Sequence, residues 1–138
     1  MTFLIDTCVI SELIRKSPDS GVLNWISNVD EDLLYISVLT LGELKKGISK
    51  LNDSKKKSEL SDWFNELENR FIQRIISIDK TIAELWGFTQ ARLEKEGKSM
   101  PVIDGLIACS ALSNGLAVVT RNGKDMIMSG VEIINPWS

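Results

Sequence analysis

Histidine is absent from the 138 residues. That removes Ser-His-Asp and Cys-His nucleophilic schemes, and with them the usual zinc sites. Any hydrolytic chemistry must rest on carboxylates, hydroxyls and amines. Cysteine is scarce. Cys8 and Cys109 both sit in apolar contexts, which suits reduced, packed thiols in a cytosolic protein better than a disulfide. Long apolar runs are missing too. Residues 99–120 come closest, but Asp104, Ser110, Ser113, Asn114 and Gly115 interrupt them, so no bilayer span is expected. Met1 to Asp6 has no basic leader and its apolar run ends in an acid, so no signal peptide is expected. An excess of positive charge is also lacking: the net charge is −3. The chain is therefore not an obvious nucleic-acid binder by charge alone.

What remains is the composition of an ordinary soluble globule, 43% apolar and 25% charged, long enough for one domain over residues 1–138. One stretch departs from the acidic average. Residues 45–57 hold six lysines and one acid. Such a run is either a solvated helix face or a contact for a phosphate backbone.

Periodicity divides the chain into short apolar strands and amphipathic helices. Strands are expected at 2–5, 33–37, 74–78, 116–120 and 131–134. Helices are expected at 9–16, 22–29, around Leu41, Leu44, Ile48 and Leu51, at 59–72, 81–95 and from Pro101 to Ser113. Asp79 is a good N-cap, and Asn114-Gly115 a good C-cap pair. The strands lack clean alternation, as when helices cover both faces of a sheet. The expected fold class is α/β: three layers, with a central, mostly parallel sheet.

In open parallel sheets, ligands gather beyond the carboxyl ends of strands. Asp6 sits at such an end. Thr120, Arg121 and Asn122 follow another, and Asp125 lies just beyond. Glu43 occupies the flank of its helix with Thr40 and Gly47, off the apolar stripe. Asp104 is the only charge between Lys98 and Arg121, in a helix apolar almost all round. Such a helix should be buried, and a buried carboxylate needs a partner. Singly, each acid has a plain structural reading: Asp6 as a helix cap, Asp104 as a first-turn acid favoured by the helix dipole. Together they could hold one or two hard cations, Mg²⁺ or Mn²⁺. A metal site of that kind makes phosphodiester hydrolysis plausible.

Four segments in order carry a resemblance. They are F-L-I-D-T-C-V-I-S-E-L, I-S-V-L-T-L-G-E-L-K-K-G-I, V-I-D-G-L-I-A-C-S-A and V-V-T-R-N-G-K-D-M, followed by a closing I-N-P-W. Nearly the whole chain resembles a PIN-domain ribonuclease of the VapC/FitB branch of type II toxins. The resemblance implies a PIN-like fold and Mg²⁺- or Mn²⁺-dependent hydrolysis of RNA. It makes Asp6, Glu43 and Asp104 the acidic core, with Thr7 and Thr120 as polar neighbours. The fourth position falls to Asn122 or to Asp125. Arg121, Lys124, Lys45, Lys46 and Lys50 would hold the RNA backbone. Cys8 departs from the asparagine common in relatives and reads as packing. Trp25, Trp63 and Trp137 read as packing too.

The implied partners are RNA, a cognate antitoxin and a second copy of the chain. No membrane is implied, DNA is met only through the antitoxin, and the location is cytoplasmic. A neutral Asn122 leaves open a non-catalytic PIN-fold binding or regulatory subunit. A haloacid-dehalogenase-type phosphatase would need an acid at Cys8. A receiver domain would need an adjacent acidic pair near the start, which is absent.

Overall fold

The computed structural model describes residues 1–138. Five strands form one sheet in the order β3-β2-β1-β4-β5, and every neighbouring pair is parallel. The strands are β1 (Phe3–Ile5), β2 (Leu34–Ser37), β3 (Ile75–Ile76), β4 (Ala117–Val119) and β5 (Ile133–Ile134). The helices are α1 (Thr7–Leu13), α2 (Ser20–Ser27), α3 (Val38–Ser49), α4 (Lys55–Arg70), α5 (Lys80–Lys95) and α6 (Val102–Asn114). No helix is long and apolar enough to cross a membrane.

Strand periodicity builds the layers. Phe3 and Ile5 point into one core, with Val9, Ile10, Val22, Ile36, Phe64 and Phe71. Leu4, between them, points into the other, with Ile107, Ala108, Ala111 and Met126. Ala117 and Val119 repeat this split around Val118. Alternate residues of a strand face opposite sides, so a sheet covered on both faces reads as an unbroken apolar run. Trp25 meets Phe3 edge-on, with centroids 5.0 Å apart, and Trp63 and Trp137 pack on the same core.

The observed bounds differ from the expected ones for identifiable reasons. The edge strands β3 and β5 are only two residues each, and such short edges leave little unpaired ladder open to another chain. Leu33 belongs to a 3₁₀ turn (Glu31–Leu33) ahead of β2. Helix α1 starts two residues early because the Asp6 side chain accepts from Thr7 N–H. Pro101 is the N-cap of α6 and not its first helical residue; its backbone is still extended (ψ 144°). Asp79 caps α5 as expected, and Gly115 ends α6 in the left-handed region (φ 66°) that favours glycine. A 3₁₀ turn at Met126–Ser129 has no sequence periodicity, yet it buries Met126 completely.

Helix α6 also corrects an expectation. It is buried only between Gly105 and Ala111, while Val102 and Ile103 in its first turn and Leu112 to Asn114 in its last are exposed. Its deep part packs closely on α5. A methyl group at Gly105 would lie 3.0 Å from the Trp86 indole and 3.3 Å from Met100. The Trp86 indole N–H is buried there without a hydrogen-bond partner.

Candidate active site

The register of the sheet places the first contacts. Ile5 pairs with Val119, so the next residues, Asp6 and Thr120, leave the carboxyl ends of β1 and β4 side by side. Asp6 is buried, 7% exposed. Its Oδ1 accepts from Thr7 N–H at 2.8 Å, and its Oδ2 accepts from the Thr120 hydroxyl at 2.8 Å. The cap reading of Asp6 is therefore correct and incomplete: one oxygen caps α1, and the other faces β4. Asn122 N–H donates to the Thr120 oxygen at 3.0 Å, which leaves the Thr120 proton for Asp6.

On the other side, β1 and β2 are neighbours, and α1 and α3 start from their adjacent ends. The Thr7 hydroxyl donates to Glu43 Oε1 at 2.6 Å and lies 3.2 Å from the Thr40 hydroxyl. Thr40 is fully buried one turn before Glu43. The sequence places Thr40 on the Glu43 flank but assigns it no role; its only signal there is a lone hydroxyl in an apolar helical stretch.

Electrostatics joins the acids. Burial pushes the Asp6 carboxyl above its ordinary 3.8; the Thr120 and Thr7 hydrogen bonds oppose this, and the Glu43 charge adds to it. Burial also raises Asp104, followed by the charges of Asp6, Asp125 and Glu43. Asp6, Glu43, Asp104 and Asp125 thus share one field, and none of them has a salt-bridge partner. Asp125 caps its 3₁₀ turn with no side-chain bond, so its carboxylate is free. The Asn122 side chain makes no hydrogen bond and is exposed.

The basic candidates divide. Lys46 and Lys50 line a groove beside Glu43. Lys45 does not: its ammonium sits 5.3 Å from the Phe64 ring centre, turned toward α4. The Arg121 guanidinium rests over Trp137 at 5.5 Å, and Lys124 is exposed. Cys8 is more than packing. Its Sγ lies 3.4 Å from the Thr120 hydroxyl and 3.9 Å from Asp6 Oδ2, and it accepts from Arg121 N–H at 3.5 Å. Burial raises its pKa, so the thiol stays protonated.

No three of the acidic and cysteine side chains converge into a ready-made ligand shell. The donor chemistry nonetheless fits a hard cation. Four uncompensated carboxylates with oxygen-only donors suit Mg²⁺ or Mn²⁺, and Mg²⁺ commonly keeps several waters and takes only one or two carboxylates.

Comparison with known proteins places this arrangement. Residues 3–127 match the PIN domain. The chain belongs to the PIN-domain family. It is similar to the plasmid stability protein StbB of Pseudomonas syringae pv. tomato (34% identical, covering 97% of each chain). It is also similar to the VapC ribonuclease Y4jK of Sinorhizobium fredii (32% identical, covering 97% of this chain and 96% of the relative). The PIN fold superposes on the crystal structure of FitAcB from Neisseria gonorrhoeae with a TM-score of 0.94, at 31% identity and 99% coverage of both chains.

Proposed function

We propose that this chain is a divalent-metal-dependent endoribonuclease, the toxin of a type II toxin–antitoxin pair. The observation that carries the reading is a set of carboxylates without ion-pair partners that feel one another's charge: Asp6 at the carboxyl end of β1, Glu43 midway along α3, Asp104 in the first turn of α6 and Asp125 at the 3₁₀ turn that follows β4. Asp6, Glu43, Asp104 and Asp125 would hold Mg²⁺ or Mn²⁺. When bound, the cation supplies Lewis acidity and a counter-charge for phosphate oxygens. Thr120 and Thr7 fix the orientation of Asp6 and Glu43. Thr120 also opposes the effect of burial on Asp6, because hydrogen bonding to the charged form favours that form.

The alternative of a non-catalytic PIN subunit rests on the neutral Asn122. The Asp125 charge acting on Asp104 favours the catalytic reading, since a fourth acid is present three residues on.

A relative named as a VapC ribonuclease and a FitAcB complex of the same fold support RNA as substrate and an antitoxin as partner. A cleft of about 270 Å³, lined by Ile10, Leu13, Ile14, Trp63 and Phe71 with Glu31 and Arg70, offers apolar surface for such a partner. Exposed Phe88 and Ile127 offer apolar surface for a second copy of the chain. DNA would be met only through the antitoxin, in the cytoplasm.

The test is induced expression in bacteria of the wild type and of Asp6→Asn, with growth followed and new RNA 5′ ends mapped. Growth arrest with discrete new ends for the wild type alone supports the reading. Two harmless proteins with no new ends would turn it toward a binding subunit.

A further inference from the structure

Resting on the ribonuclease reading, we infer that the α3 groove is the track for the single-stranded RNA leaving the acidic site, with Lys46 and Lys50 holding successive phosphates. A groove of about 610 Å³ opens directly beside the acids. Glu43 lines it, as do Thr7, which follows Asp6, and Ile103, which precedes Asp104. Three of the site's segments therefore share its wall.

Helical spacing sets the order of charge along this wall. Glu43, Lys46 and Lys50 succeed one another at i, i+3 and i+7 on one face of α3, ending at its C-cap. The groove thus passes from negative to positive along the helix. Gly42 lies just before Glu43 and Gly47 between the two lysines; both line the groove, and a Cβ at either would meet nothing within 4 Å. Their bare backbone keeps the floor open over one full turn. Side chains three or four apart on a helix are separated by about 6 Å at Cβ, a reach comparable to the step between neighbouring phosphates of an extended strand.

The two lysines are also without a partner, and of the three in the run that are, they are the two that line the groove. Of the six in residues 45–57, Lys45 rests on Phe64, Lys55 pairs with Glu59, and Lys57 pairs with Asp53. Lys56 lies on α4, outside the groove. Helix-dipole complementarity would explain lysines near the end of α3. It would not explain why Lys46 and Lys50 share the groove wall with Glu43 while Lys45 turns away. A positively charged groove that follows the backbone is one part of a single-strand channel; here Val38, Leu39 and Ile103 supply apolar wall and no aromatic ring lines the groove, so the phosphate contacts carry the binding.

The experiment uses the full chain carrying Asp104→Asn and a short fluorescein-labelled oligouridylate, with anisotropy read across a salt series. Adding Lys46→Gln and Lys50→Gln should weaken binding about tenfold or more at low salt. It should also flatten the slope of log affinity on log salt by about 1.4, two single-strand phosphate contacts at about 0.7 each. Gly47→Glu places an acid between the lysines and should weaken binding while leaving the melting temperature unchanged or higher, because glycine is the poorer helix former. Lys45→Gln should bind like its parent. The inference is overturned if the double variant keeps the parent's affinity and slope, if Lys45→Gln weakens binding equally, or if the parent does not bind the oligonucleotide. RNA cleavage by the unaltered chain is measured beside it. Cleavage with lysine-independent binding would sink the track alone, whereas no cleavage would sink the ribonuclease reading.

Discussion

The Thr120 hydroxyl donates to Asp6 Oδ2 at 2.8 Å, across 114 residues of sequence. This bond joins the ends of two adjacent parallel strands and gives a buried carboxylate a partner that is not a cation. The Asp6 carboxyl is held in place with no basic side chain paired to it, as a metal ligand requires.

Thr120→Val should therefore cost more than a surface substitution. Hydrogen bonds to charged groups contribute about 1.5–3 kcal/mol, and a loss of that order is expected near neutral pH. It should shrink in acid, where Asp6 is protonated. Metal affinity should fall, because the Asp6 carboxyl would rise still further. Thr120→Ser should restore both. Denaturant titration at two pH values and calorimetric Mn²⁺ titration check this.

The raised carboxyls of Asp6 and Asp104 fix the sign of a pH effect. In the window above the ordinary 3.8 and below the raised values, the folded chain holds protons that the unfolded chain has released. Stability then falls as pH rises through that window, and the penalty is complete above it. The lowered carboxyls of Asp19 and Glu31 act oppositely, so the difference between wild type and variant is the useful quantity. In a chelator, Asp104→Asn should melt higher than wild type near neutral pH, and the gap should close in acid. A variant no more stable at any pH would contradict the electrostatic reading of the site.

Added metal should reverse that order. At about a hundredfold excess over its Kd, Mn²⁺ should stabilise the wild type by about 2.7 kcal/mol through linkage alone. Asp104→Asn should gain much less. Melting curves across a Mn²⁺ series read this directly.

Gly105→Ala tests how α5 holds the helix that carries Asp104. The added methyl would press on Trp86 and Met100, so overpacking of about 1–3 kcal/mol should outweigh the usual helix-propensity gain of alanine. Trp86→Leu should relieve it in the double variant. Thermal melts of the two single variants and the double variant give the coupling.

Much of this is legible in the sequence because local rules and tertiary structure agree. Asp79 and Gly115 cap helices as their types suggest, and the alternating faces of β1 and β4 explain apolar runs that show no alternation. Strand-end placement also points to Asp6. Other features need the fold. That β3 and β5 are the short edges of the sheet is set by the strand order, which local periodicity does not carry. Cys8 and Thr40 join the polar network only once β4 and α1 lie beside them. The separation of Lys45 from Lys46 and Lys50 depends on where α4 packs, which adjacent lysines cannot reveal. The apolar sequence of α6 overstates its burial because both of its end turns project past the core.

The most direct measurement is cleavage of an end-labelled cellular RNA by the purified chain with Mn²⁺, with chelator, and with Asp104→Asn prepared in parallel. Discrete products from the wild type with Mn²⁺, absent in chelator and absent with the variant, are the expected result. Equal products from wild type and Asp104→Asn, or none under any metal condition, would contradict a catalytic role for the carboxylates around Asp6.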